Sequence, residues 1–506
     1  MKDEYTQKKV VNNPSTTRNQ LYWNTLVRIP AHALRVVSSV VVARKLVPED
    51  YGIVGIGMML IGYANLFTTF GFGEALIQRG ITDRRVIRSV FTIDLTVSLI
   101  LASIFYAASG VIADFFDTPQ AKTVIQILSL FFILTAFQST PHAILRRKMD
   151  FKAISIIDIT KGFLVAVLTL ILAYMGLGYW ALVFGQLVPF IFVNIMLSIR
   201  AGWFPVPYFN HQLMKSIYDF GIWNFLKSQL EFISKNVDKF VIGRWMGTVA
   251  LGFYDKAMSF AVMPLNHLTM NINAVLFSSF SANKENRKEL QTQLKKSFTL
   301  IAGINFPIYV GLAVTAPHLV NSLLGEKWAP MVACFQIILA ACMVKSFSGM
   351  VAAFNVGTGK YRQHTIRSFF SIIGFVAACL YAMKFGIEGI ALAFLFYCVL
   401  FMSLTGSLVC GQLSVTWREF VSPVSPPLIG SLIMGGMVYL FGRYVMPEYT
   451  IVNLIVLCLL GVCVYGAFIL VDSSWQTREL KKTIRKDISK LPLAGKLAGK
   501  LVKGYS

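Results

Sequence analysis

Lys and Arg cluster in every second gap between long apolar stretches, and this alternation constrains the fold more than any other feature. About fourteen stretches of membrane-spanning length run from roughly Asn19 to Val471. The tails and even-numbered gaps carry roughly 32 basic residues and the odd-numbered gaps about 7. Basic residues near span ends stay on the cytoplasmic side, so the alternation predicts orientation as well as number, and an even number of spans places both termini in the cytoplasm. Lipid cannot satisfy an open backbone, so the spans are read as helices. The predicted fold class is all-α: a polytopic membrane protein with about 14 transmembrane helices.

Composition narrows the function classes. The chain has 506 residues, 56% hydrophobic and 14% charged, far more apolar than a soluble protein of that size. A net charge of +23 would suggest nucleic acid in a soluble protein. Here the excess lies in short loops and the tail, where it sets topology and meets anionic lipid headgroups, so nucleic acid is not an expected partner. The first twenty residues are polar (Lys2, Lys8, Lys9, Arg18), and no short apolar core with a cleavage site follows, so no cleavable signal is read. All seven cysteines fall in predicted spans of the second half, without a CxxC pair, and are read as packing residues.

The expected spans are 20–43, 51–71, 91–113, 121–141, 153–175 and 178–199, then 215–245, 250–274, 296–318, 331–356, 363–384, 386–410, 425–447 and 450–471. They divide the chain into a cytoplasmic tail (1–19), an N-lobe of six helices (20–199) and a Pro/Trp-rich cytoplasmic linker (200–214). A C-lobe of six helices (215–410), a hairpin of the last two spans (411–471) and a basic cytoplasmic tail (472–506) complete it. In that tail Lys496, Lys500 and Lys503 sit among Leu493, Leu497 and Leu501 at near-helical spacing, the pattern of a helix lying on the inner leaflet, with a solvated, frayed tail as the alternative. Basic loops are read at Arg79, Arg84, Arg85 and Arg88, at Arg146 to Lys148, at Lys284, Arg287 and Lys288, and at Lys360, Arg362 and Arg367.

An internal repeat appears at an offset of 200 residues. Arg44-Lys-Leu-Val-Pro-Glu-Asp-Tyr-Gly52 links spans one and two, and Arg244-Trp-Met-Gly-Thr-Val-Ala-Leu-Gly252 links spans seven and eight. Both copies start in the cytoplasm, so the six-helix lobes are pseudo-symmetric parallel repeats, with spans one and seven equivalent and a substrate path expected between them.

Ionisable groups inside a bilayer cost about 2.5 kcal/mol or more, so each needs a reason. Asn24, Arg28, His32, Arg35 and Ser39 are spaced 4, 4, 3 and 4, one stripe of a helix. Asn224, Lys227, Glu231, Lys235 and Asp238 are spaced 3, 4, 4 and 3, again one stripe, with Lys235 at the position equivalent to Arg35. Two cationic stripes facing one water-filled space would hold an anionic ligand. The structural alternative is that Glu231 neutralises Lys227 and Lys235 at i±4, while Arg28 and the groups near Lys239 snorkel to an interface. Asp158 and Lys161 are expected to pair. Asp94 and Lys345 have no local partner in sequence, and Asp94, Asp158 and Glu231 are the carboxylates that coupling to an ion would need.

Gly357-Thr-Gly359-Lys360 imitates the end of a P-loop, but Phe354 stands where the first Gly belongs and Tyr361 where Ser/Thr belongs. No HExxH, GxSxG or paired metal-carboxylate motif occurs. The chain is expected to move a substrate rather than convert one, with no cofactor and no metal.

The stretch Val41–Arg79, with VARKLVPEDYGIVGIG in it, resembles the opening of Wzx-type polysaccharide flippases. Phe220–Pro264 resembles their seventh and eighth helices, and Leu324-Gly-Glu-Lys-Trp328 and Gly386-Ile-Glu-Gly389 belong to the same likeness. The match runs along nearly the whole chain. It is similar to the colanic-acid type branch of the multidrug/oligosaccharidyl-lipid/polysaccharide exporter superfamily. That resemblance implies two six-helix lobes plus two C-terminal helices. It implies an undecaprenyl-pyrophosphate-linked oligosaccharide as substrate, turned from the inner to the outer leaflet of the cytoplasmic membrane. A polysaccharide polymerase and a chain-length regulator are the protein partners it suggests. A pyrophosphate suits guanidinium and ammonium donors, which makes Arg28, Arg35 and Lys235 its expected clamp. Asn24, His32, Asn224 and Lys227 complete the expected substrate contacts. Three alternatives stay open: a drug or cation exporter of the same superfamily, a peptidoglycan-precursor flippase, and a membrane glycosyltransferase or polymerase.

Overall fold

The computed structural model describes residues 28–68, 84–148, 150–208, 232–265 and 270–472, with 474, 477 and 478. Among these residues every regular element is helical. The break between the first two helices shows how sequence sets the ends. Helix α1 (Arg28–Lys45) closes on Arg44 and Lys45, cations beside the partly negative last carbonyls. Helix α2 (Pro48–Thr68) opens on proline, whose missing N–H is not needed in a first turn. The Asp50 carboxylate accepts from the Val47 N–H at 3.0 Å, satisfying a donor that the helix leaves over. The break recurs 200 residues on: helical residues 232–245 stop at Met246, and the next helix begins at Gly247 with φ 84°.

Two compact units make up the chain, Met1–Phe232 and Ile233–Ser506. The first continues through α3 (Arg84–Phe115), α4 (Gln120–Leu128), α5 (Leu130–Arg147), α6 (Phe151–Tyr174) and α7 (Tyr179–Ala201). Here α1 packs on α6, α6 on α7, and α5 on both α3 and α7. Phe132, Leu128, Val183 and Phe190 form the core between α2, α4, α5 and α7. Backbones come close where α6 meets α7: a Cβ on Gly185 would clash with Thr169 Oγ1 and stand 3.0 Å from the Thr169 Cα. Small residues permit such contact where helix association gains little from the hydrophobic effect. Gly185→Leu is expected to force these helices apart at a cost of about 1–3 kcal/mol, the range for overpacking. Thermal scanning of the detergent-solubilised variant checks this, and a melting profile like wild type would show that the contact gives way freely.

The second unit contains helical residues 233–245, α8 (Gly247–Pro264), α9 (Met270–Ala282), α10 (Arg287–Leu319), α11 (Val332–Lys345) and α12 (Ser348–Gly357). It ends with α13 (Tyr361–Ala382), α14 (Gly386–Leu413), the short α15 (Trp417–Val421), α16 (Ser425–Tyr444) and α17 (Ile451–Val471). The last two helices pack on α10, where the Tyr465 hydroxyl donates to the Gly303 carbonyl at 3.0 Å.

Among the described residues nine helical segments are long and apolar enough to cross a membrane. One of them, Tyr361–Leu413, holds two expected spans joined by a single 3-10 turn at Met383–Phe385. The expected spans at 20–43, 51–71, 215–245 and 250–274 run into residues outside the described ranges. Lipid-facing side chains such as Ile100, Val111, Val452 and Val462 are exposed, as a bilayer requires.

Helices outrun the spans read from hydropathy. α3 begins at Arg84 rather than 91, α9 runs on past the expected span end at 274 to Ala282, and α10 begins at Arg287 rather than 296. Apolar windows miss these turns because Arg, Lys, Glu and Gln form helix as readily as Leu. Asn286 marks the true start of α10, its side chain accepting from the Glu289 N–H at 3.1 Å. At 33 residues, α10 is about 50 Å long against a hydrocarbon core of about 30 Å, so its basic first turns project beyond the lipid. Arg367, assigned to a loop, lies within α13 and donates to the Leu404 carbonyl at 2.7 Å and to Ser407 Oγ. The P-loop imitation is a helix stop: Gly359 has φ 84°, and the Lys360 N–H closes on the Asn355 carbonyl at 2.8 Å.

Candidate functional site

Within the first unit, α1, α2, α5, α6 and α7 enclose a cavity of about 660 Å³. Ile61 and Phe131 supply apolar wall, while Arg35, Asp158, Lys161 and Gln186 bring polar groups into it. Helix contacts place the cations. Ser38 Oγ donates to the Ala166 carbonyl at 3.0 Å, pinning α1 to α6 one turn beyond Arg35. There α6 carries glycine: a Cβ on Gly162 would stand 3.0 Å from Arg35 Nη2. The guanidinium occupies the space that the missing side chain leaves.

Lys161 departs from expectation. Among the described residues no ion pair joins it to Asp158; its ammonium lies 4.4 Å from the centre of the Phe190 ring. The ring face attracts a cation without neutralising it. Among the described residues two cations and one carboxylate therefore share the cavity with an aromatic wall, for Phe190 also packs on Phe131 at 5.1 Å. Such a lining suits an anionic headgroup carrying polar, ring-shaped substituents.

The other candidates are distributed as follows. Arg28 and His32 lie on the backbone of α1, with side chains outside the described set. Asn24, Asn224, Lys227 and Glu231 lie outside the described residues. Lys235 is exposed, on a helix of the second unit. Its stripe neighbour Asp238 is 1% exposed and accepts from the Tyr254 hydroxyl at 2.7 Å. Next to it Lys239 pairs with Asp255. Lys345 also has a partner that sequence hides: its ammonium lies 4.8 Å from the centre of the Phe394 ring.

Asp94 does not line the 660 Å³ cavity. It is 4% exposed on α3, and Ser139 of α5 donates to it at 2.8 Å. Ser139 stands one turn along α5 from Thr135, which does line the cavity. Thr135, Lys161, Gln186 and Phe190 are among the lining residues that the sequence reading missed as such. Lys161 was masked by its i−3 carboxylate, whereas Gln186 carried a signal of its own, an amide within an apolar span.

Among the described residues, then, a helical membrane-type chain gathers ionisable side chains in a cavity inside one of its units. Solved structures agree on the fold. The lipid II flippase MurJ in an inward closed conformation superposes with a TM-score of 0.73 at 14% identity, covering 88% of this chain and 98% of that one. An inward-facing MATE-family multidrug transporter of the MOP superfamily gives 0.62 at 15% identity, covering 78% of this chain and 99% of that one. Residues 41–333 match the family described as polysaccharide biosynthesis protein, and the chain belongs to that family. Its relatives include the lipopolysaccharide biosynthesis protein WzxC of Escherichia coli K12, 21% identical over 82% of this chain and 86% of the relative. The succinoglycan biosynthesis transport protein ExoT of Rhizobium meliloti is 26% identical, over 63% of this chain and 64% of that protein. The teichuronic acid biosynthesis protein TuaB of Bacillus subtilis is 24% identical, over 54% and 58%.

Proposed function

We propose that this protein is a flippase. Its proposed substrate is an oligosaccharide repeat unit linked to undecaprenyl pyrophosphate, carried from the inner to the outer leaflet of the cytoplasmic membrane for surface polysaccharide assembly. Membership of the polysaccharide biosynthesis family carries this reading, together with relatives named for lipopolysaccharide and for succinoglycan transport. The cavity supports it chemically. Arg35 offers the planar fork that binds phosphate oxygens in pairs, and Lys161, lining the same cavity from α6, adds a second charge. Phe190, Gln186 and Thr135 suit sugar rings and hydroxyls.

Arg28 and Lys235 extend the proposed clamp, with Asn24, His32, Asn224 and Lys227 as further contacts. The proposed cycle is alternating access, in which the headgroup crosses in a polar enclosure while the prenyl chain stays in lipid. Both termini lie in the cytoplasm in this scheme, with anionic lipids against the basic loops and tail. A polymerase and a chain-length regulator would receive the product. Glu231, Asp94 and Asp158 are the carboxylates proposed to couple the cycle to an ion. Asp158 also favours a second reading, a cation exporter, since it is an exposed carboxylate in the same cavity; Arg35 and Lys161 outweigh it.

Cells lacking the protein provide the test. Completed lipid-linked repeat units are expected to accumulate on the cytoplasmic face while surface polysaccharide is lost, and their mass identifies the glycan. Loss of polysaccharide without that intermediate would point to synthesis. Unchanged polysaccharide with altered drug tolerance would favour the exporter, and rescue of a strain lacking its peptidoglycan-precursor flippase would favour that substrate.

A further inference from the structure

A second cavity, of about 290 Å³, opens in the second unit where the ends of α10, α16 and α17 meet. α10 begins at Arg287, whose Nε donates to the Leu413 carbonyl at 2.9 Å, and runs 33 residues to Leu319. The cavity lies at its far end, beside His318. With the orientation proposed above, that is the headgroup level of the outer leaflet. Exposed Tyr439, Tyr444 and Tyr449 around it fit the aromatic belt of a membrane–water boundary.

Its lining is divided. Val314, Val438 and Leu457 form an apolar floor, and His318, Tyr439, Arg443 and Tyr449 form a polar rim. Arg443 donates through Nη1 to the Tyr439 hydroxyl at 2.9 Å, one turn back along α16. That bond steadies the guanidinium, and the rest of its donor fork has no protein partner among the described residues. His318, 9% exposed, meets the Met446 carbonyl through Nε2 at 3.1 Å and the edge of Tyr449 at 5.0 Å, which fixes the hairpin forming the rim. Among the described residues no acidic one lines the cavity. Glu448 is in that hairpin, yet its contacts there run through its backbone carbonyl, which accepts from Thr450 and Asn453.

A steadied guanidinium above an apolar floor, at headgroup depth, matches an amphiphile with an anionic head. We propose that this cavity binds the phosphate of a membrane lipid, with Arg443 on the phosphate oxygens and one hydrocarbon chain along Val438 and Leu457. Phosphate is common to phospholipids and to polyprenyl phosphates, and the choice between them is a matter for experiment. The site is separate from the first-unit cavity and does not depend on the transport reading.

Native mass spectrometry of the purified full chain, supplied in turn with phosphatidylglycerol, undecaprenyl phosphate and phosphate-free diacylglycerol, tests it. One phosphate-bearing lipid is expected to be retained per chain, and diacylglycerol is not. Arg443→Ala and Arg443→Gln should lower occupancy about five- to tenfold, the loss of one charge-assisted contact. Arg443→Lys should keep part of it, and Arg418→Ala, at an exposed arginine outside the cavity, should behave as wild type. Displacement of phosphatidylglycerol by equimolar undecaprenyl phosphate supports a polyprenyl site. The reverse supports a phospholipid site. Equal retention in wild type and both neutral Arg443 variants, or retention of diacylglycerol at the same level, overturns the proposal. Because lipid retention is read without transport, a failure here leaves the flippase reading untouched, and the converse also holds.

Discussion

Arg35→Ala is expected to reduce delivery of lipid-linked repeat units about 100-fold, leaving membrane insertion and abundance at wild-type levels. The size follows from losing two charge-assisted hydrogen bonds to one phosphate, each worth about a factor of ten in a site of low dielectric. Abundance should hold because the Arg35 side chain is exposed within the cavity, whereas the fold-bearing contact on this face of α1 is Ser38 to Ala166. Arg35→Lys should retain the charge but lose the fork, and fall between the two. Gly162→Ala tests the same spot from the other side, since its methyl would stand 3.0 Å from Nη2 and the guanidinium would have to shift by a few tenths of an ångström. Surface polysaccharide and the cytoplasm-facing intermediate are the paired readouts. Normal polysaccharide in the alanine variant, at normal abundance, would remove Arg35 from the proposed clamp.

Trp328→Ala should have the opposite signature, loss of protein rather than of transport per molecule. Trp328 is 0% exposed in the short turn Glu326–Met331, with its ring edge-on to Phe253 of α8 at 5.9 Å. Gly325 precedes it with φ 98°, so the turn that delivers the indole suits glycine. Truncating a fully buried tryptophan costs about 3–5 kcal/mol, because the surroundings only partly close over the cavity. That is a large part of the stability of an ordinary domain. Reduced folded yield and a lower melting temperature are expected, with Trp328→Phe recovering most of both. Wild-type stability of the alanine variant would mean that the turn repacks freely.

Much of the architecture was legible in the residues because a bilayer imposes strict rules. Hydropathy located the helices, and the offset of 200 located equivalent helix breaks, since Pro48 and Gly247 both open a helix just after a basic helix end. Span ends were less legible. Hydropathy registers contact with lipid, whereas the first turns of α3 and α10 are helical because their residues favour helix and Asn286 caps. Arg35 stood out because it lies on a polar stripe of an otherwise apolar helix. Lys161 did not, because spacing alone pairs it with Asp158.

By itself the sequence determined what the solvent demands: helices of spanning length, their alternating basic ends, and cations that lipid would not tolerate without a reason. Tertiary structure decided which groups meet. Packing of α6 against α7 put Lys161 over Phe190, and the absent side chain at Gly162 made room for the Arg35 guanidinium. Folding of α11 against α14 set Lys345 over Phe394, and Lys239 found Asp255. Helical periodicity fixes the face on which a side chain lies, but its partner comes from another helix, and only the packed structure supplies that helix.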